Sequence, residues 1–257
     1  MSEAKAPAGL GEIVEDRLLD GRLILRQPRK GHRAGSDAVL LAAALPELGA
    51  GRLLDIGAGV GTVGLAVALA QPQLGITLLE RDPELAALAA GNAALNGMEG
   101  RISVVAADVG APAGKLTGLG LASGSYDAVA MNPPFYPSGG TRASPVPNRK
   151  AAHVAEGDLA IWLRAARRLL KPGGLIAIIH RAEALPELLA GLEIGFGALA
   201  IRPVHAFVER PAIRVIVTAV LNSRKPAELL PAFVINGPDG RLTALSDAVH
   251  RGRAKLG

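Results

Sequence analysis

Asn132-Pro133-Pro134-Phe135 directly follows an apolar run, Tyr126 to Met131, and combines residue types suited to one difficult reaction. The lone pair of an exocyclic amine or amide nitrogen is delocalised into its π-system, so that nitrogen is a poor nucleophile. The Asn132 side-chain oxygen and the Pro133 carbonyl can accept hydrogen bonds from its two N–H groups and draw it toward tetrahedral geometry, with the lone pair aimed at a methyl donor. Pro133 and Pro134 fix φ and hold those acceptors still. Phe135 offers a face on which a planar group stacks. The alternative reading is a rigid strand-to-loop turn with a core Phe.

A second group precedes it. Leu54-Asp55-Ile56-Gly57-Ala58-Gly59-Val60-Gly61 follows one apolar run and opens the next, and glycines there let backbone approach a nucleotide-like ligand. The dinucleotide fingerprint would need a third glycine at 62, where Thr62 stands, so the spacing is D-x-G-x-G-x-G. Glu80 lies about twenty residues further on, where an acid can accept both hydroxyls of a ribose. Asp108, in Ala106-Ala107-Asp108-Val109, can accept from the exocyclic amine of adenine, or can simply cap a turn.

These groups matter only if elements bring them to one edge. Strand-like and helix-like segments alternate from Gly51 onward. Strands are expected at Arg52–Ile56, Ile76–Glu80, Ile102–Ala106, Tyr126–Met131, Leu175–His180, Ala198–Arg202 and Ala212–Leu221. Helices are expected at Gly61–Gln71, from Asp82 as N-cap with Pro83 in the first turn to a stop at Asn96-Gly97, at Asp158–Leu170 and at Glu183–Leu192. On the third of these, Leu159, Trp162, Leu163, Ala166 and Leu169 share the apolar face. Such alternation predicts an α/β fold, a seven-stranded mostly parallel Rossmann-like sheet with helices on both faces. Ligands then sit beyond the carboxyl ends of the strands, where Asp55, Glu80, Asp108 and Asn132 fall. Arg17 to Leu25, around Asp20-Gly21, predicts an N-terminal β-hairpin, and Pro231 to Thr243, around Pro238-Asp239-Gly240, a second one. Residues 1–50 are expected to form a hairpin and helix packed on a catalytic domain over residues 51–257.

Composition excludes several classes. There is no cysteine, so disulfides, thiolate metal sites and cysteine nucleophiles are ruled out. The five histidines never stand at i, i+4, which argues against a zinc site, and no metal is expected. No apolar run reaches the length of a membrane span, and the first residues carry no signal-peptide pattern, so a cytoplasmic location is expected. The net charge of +5 suits a polyanionic partner, although an Arg-rich composition alone produces the same excess.

Taken together, Asp55 to Gly61, Glu80, Asp108 and the Asn-Pro-Pro-Phe (NPPF) tetrapeptide resemble the class I S-adenosylmethionine-dependent methyltransferases that methylate amino groups of adenine, cytosine or glutamine. The flanks narrow this. Gly31-His32-Arg33-Ala34-Gly35-Ser36-Asp37-Ala38-Val39-Leu40-Leu41 is similar to the G-T-D-A-x-L-L segment of the bacterial tRNA(Val) adenine-N6 methyltransferase family, and Asn148 to His153 to that family's loop. Ser36 replaces the usual Thr, and Phe135 the commoner Tyr. The resemblance implies S-adenosylmethionine as cofactor, held by Ser36, Asp37, Asp55, Gly57, Ala58, Gly59, Gly61, Glu80, Arg81, Asp108, Val109 and Asn132. Ser36 and Asp37 serve equally well as a helix N-cap.

The polar stretch Tyr136–Lys150, with Arg142, Arg149 and Lys150, is long for a loop and can clamp a substrate. Arg26, Arg29, Lys30 and Arg33 form a second basic cluster that can meet RNA phosphates; solvated charge is the plainer reading of both. The expected function is N6-methylation of adenine in RNA, tRNA above all. Two alternatives stay open: methylation of a protein glutamine or a small molecule, and a non-catalytic nucleotide- or RNA-binding protein on the same fold.

Overall fold

A computed structural model describes residues 9–30, 35–134 and 158–256. An antiparallel hairpin comes first, β1 (Ile13–Leu18) and β2 (Leu23–Pro28). Leu19, Asp20 and Gly21 all take positive φ in its turn, at 54°, 59° and 78°, a conformation that Asp and Gly tolerate best. Then follow α1 (Ser36–Ala44), β3 (Arg52–Ile56), α2 (Thr62–Ala70), β4 (Gly75–Glu80), α3 (Pro83–Leu95), β5 (Ile102–Ala106), α4 (Ala113–Gly118) and β6 (Tyr126–Met131). The chain continues with α5 (Asp158–Leu169), β7 (Leu170–Arg181), α6 (Leu185–Leu192), β8 (Phe196–His205), β9 (Ala212–Leu221), β10 (Glu228–Leu229), β11 (Phe233–Val234) and α7 (Ala244–His250).

Seven long strands form one sheet in the order β5-β4-β3-β6-β7-β9-β8, all parallel except β9. The two-residue β10 and β11 both add parallel to β8. Leu53, Leu54, Asp55 and Ile56 of β3 are all buried, as a strand covered on both faces requires. One apolar cluster fills the face under α1, α2, α3 and the hairpin, with Leu23, Leu25, Leu40 and Leu65 fully buried. The other lies under α4, α5 and α6, around Leu116, Leu188 and Leu192. Strand order reverses beside β3, whose parallel neighbours are β4 on one side and β6 on the other. The crevice at that switch point is where such sheets bind ligands.

The hairpin is fastened by side chains acting as a strand. Asn92 and Asn96 stand four apart on α3 and so share a face. Ile24 N–H donates to Asn96 Oδ1 (2.9 Å) while Asn96 Nδ2 donates back to Ile24 O (2.7 Å). Asn92 repeats the exchange with Arg26, at 2.8 and 2.9 Å. Two carboxamides thereby satisfy the edge of β2, which would otherwise present open backbone groups. Fully buried Asn92 also donates to Val60 O (3.0 Å), tying the hairpin to the glycine loop.

Three expectations need correction. The segment Pro231–Thr243 closes only one antiparallel bridge, Asn236 to Leu242, because Phe233 and Val234 pair with β8 instead. The Lys171-Pro172-Gly173-Gly174 turn does not separate helix from strand: β7 starts at Leu170, directly after α5. β8 runs well beyond Ala198–Arg202 at both ends, and α4 and α7 are additional helices.

Candidate active site

A cavity of about 640 Å³ opens at the carboxyl ends of β3, β4, β5 and β6. Its floor is the turn from β3 into α2. Gly57 and Ala58 N–H both donate to Leu79 O, at 2.8 and 3.0 Å, and fold that turn onto β4. Gly57 has φ +69°, and a Cβ there would lie 2.3 Å from the Trp162 ring, so only glycine fits. Gly61, at φ +90°, plays a different part: its missing side chain lets α2 close on Leu78, and it does not line the cavity.

Glu80 organises one wall. Its Oε2 accepts from Gly59 N–H (2.8 Å) and its Oε1 from Asp82 N–H (2.9 Å), so one carboxylate at the end of β4 holds two loops. Each oxygen keeps a second lone pair for a ligand hydroxyl. Asp55 is 1% exposed and accepts from Gly64 N–H (2.9 Å). Burial pushes its carboxyl up to about 7; the Gly64 N–H opposes this and the nearby Glu80 charge adds to it. Asp108 is exposed into the cavity while its Oδ1 accepts from Gly110 N–H (2.7 Å), so it caps its turn and lines the site together.

Asn132 completes the arrangement at the end of β6. Its Oδ1 is buried and has no hydrogen-bond partner among the described residues. A buried acceptor without a donor is costly and rare, and Asn132 is one of the residues that line the cavity. Pro134 lines the cavity beside it, and Pro133 is buried behind. The acidic side chains of Asp55, Glu80, Asp82 and Asp108, apolar walls and the Asn132 amide suit a nucleoside-bearing methyl donor together with an amine acceptor.

Residues 33–201 match the family model of the methyltransferase small domain. The chain belongs to that family. This methyltransferase is 30% identical over 227 residues to the tRNA1(Val) (adenine(37)-N6)-methyltransferase of Erwinia tasmaniensis, covering 87% of this chain and 88% of that one. The enzyme of the same name from Tolumonas auensis is 31% identical over 205 residues, 79% of this chain and 81% of its own. Among solved structures, a predicted O-methyltransferase from Agrobacterium tumefaciens superposes with a TM-score of 0.74 at 29% identity, over 86% of this chain and 98% of that one. The methyltransferase uses S-adenosylmethionine, and Asp55, Gly57, Ala58, Gly59, Glu80, Arg81, Asp108, Val109 and Asn132 all line the cavity described above.

Ser36 and Asp37 are placed elsewhere. Ser36 Oγ lies 2.5 Å from His250 Nε2, and Asp37 is paired with Arg214 at 2.8 Å, so both anchor α1 to the C-terminal half. Their neighbours Gly35 and Ala38 line the cavity instead. Arg29 is paired with Glu12 (2.6 Å) and Lys30 is exposed at the end of β2. Phe135, Arg33, Arg142, Arg149 and Lys150 lie outside the described residues. Sequence reasoning missed that Asp82, which caps α3 through Glu84 and Leu85 N–H, also lines the cavity, and that Trp162, packed beside the apolar face of α5, does so too. Asp82-Pro83 was a legible cap, and its closeness to Glu80 was the available signal. Among the described residues no group of three or more metal-ligating side chains exists, and no helix is long and apolar enough to cross a membrane.

Proposed function

We propose that this methyltransferase modifies N6 of adenine in tRNA, at the position 37 that the names of its curated relatives give. The observation that carries the reading is that Asn132 lines the cavity and that its buried Oδ1 has no partner among the described residues. An adenine amine is the complementary donor for that acceptor. S-adenosylmethionine, when bound, supplies a methyl group on positively charged sulfur. Asn132 and the Pro133 carbonyl accept from the two N6–H groups, which localises the nitrogen lone pair for attack. Glu80 and Asp108 hold hydroxyl and amine groups of the nucleoside. The prolines keep the acceptors from retreating as the nitrogen changes geometry. The target base must leave its stack to reach this position, as for other enzymes acting on a base.

Asn132→Ala removes the acceptor and leaves the glycine loop and Glu80 intact. Transfer to tRNA should fall at least about a hundredfold, as for other preorganised polar groups. Calorimetry should find cofactor affinity within a few-fold of wild type. Loss of both together would make Asn132 a structural residue and remove the basis of the mechanism.

A further inference from the structure

The buried face of α5 is made by Leu159, Leu163, Ala166 and Leu169, none more than 6% exposed. Trp162 lies beside that face and is only half-buried; with Ile161 it turns toward the cavity that also holds Asp108 and Asn132. Its ring is seated on the bare Cα of Gly57, where a Cβ would come within 2.3 Å of Cη2 and 2.8 Å of Cζ3. The indole is therefore fixed by the cofactor loop and still leaves part of its surface uncovered in a concave site. An aromatic surface of that kind is covered to advantage by a planar base.

We infer that Trp162 is a cofactor-contacting residue, an aromatic wall of the nucleoside-binding cavity. This rests on S-adenosylmethionine being the donor, and it adds a residue that the glycine loop, Glu80 and Asp108 do not imply. The sequence contains one tryptophan, so all indole emission reports on this wall.

The test uses the full chain and S-adenosylhomocysteine, with binding followed in parallel by calorimetry and by tryptophan emission. Emission should change saturably, with the midpoint that calorimetry gives. Trp162→Leu, which keeps apolar volume and removes the aromatic face, should weaken binding about ten- to a hundredfold. Trp162→Phe should restore most of it, and both variants should melt near wild type. Emission unchanged at calorimetric saturation, or Trp162→Leu binding as tightly as wild type, would overturn the assignment while leaving the donor reading intact. No heat with the wild-type protein would overturn both.

Discussion

Asp55 shows at the residue scale what the cofactor loop costs the empty protein. Burial holds its folded-state carboxyl at about 7 against the ordinary 3.8, so between those pH values the folded chain holds a proton that the unfolded chain releases. Stability therefore falls as pH rises through that window, and the full cost is present above about 7. Asp55→Asn keeps an acceptor for Gly64 N–H and removes the titration. The variant should melt higher than wild type at pH 8, with the gap closing toward pH 4; melting curves at both pH values check it, and a gap independent of pH would contradict it. Glu80 lies on the same wall with a different task. Glu80→Ala deprives Gly59 and Asp82 N–H of their acceptor. It should weaken S-adenosylhomocysteine binding at least about tenfold, since hydrogen bonds to a charged group are each worth roughly 1.5–3 kcal/mol. At this scale the placing of Asp55, Glu80, Asp108 and Asn132 around one cavity was legible because each lies at or within two residues of the carboxyl end of a strand, where topology dictates the address. Ser36 and Asp37 were not, because their partners His250 and Arg214 lie 214 and 177 residues away in sequence.

Among the elements, the clasp between α3 and the hairpin is the most exposed to test. Asn92→Ala strands the Arg26 backbone groups and the Val60 carbonyl at a buried position. Each lost buried partner costs about 1–3 kcal/mol, so chemical denaturation should show a loss of roughly 2–4 kcal/mol. Asn92→Asp keeps the acceptor for Arg26 N–H, loses both donors and buries a charge, and should fare no better. The strands β3, β5, β6 and β9 were legible to the residue, because each is a largely apolar run bounded by polar or glycine-bearing segments; β5, at the sheet edge, is buried only at Ile102. β7 was not, because Gly173-Gly174 reads as a stop when it is only an irregular start. α4 was missed since Ala113–Gly118 has too few apolar residues for a periodic signal. Helical spacing rightly groups Trp162 with Leu159 and Leu163, against whose cluster it packs, but period alone does not show that it also lines the cavity.

For the molecule as a whole, the sheet brings one apolar half under α1–α3 and another under α4–α6 together around a single crevice, and the family match spans both. The surplus of five positive charges acts at this scale too. Binding of unmodified tRNA should weaken steeply, on a log–log salt plot, between about 50 and about 200 mM, because phosphate contacts release counterions. A flat salt response would argue for an acceptor other than RNA. The central claim is tested most directly by incubating the protein with methyl-labelled S-adenosylmethionine and unmodified total tRNA, digesting to nucleosides and identifying the labelled one. The account predicts label in N6-methyladenosine with the wild-type protein and none with Asn132→Ala. Label in another nucleoside, or none in tRNA from a protein that binds the cofactor, would contradict it.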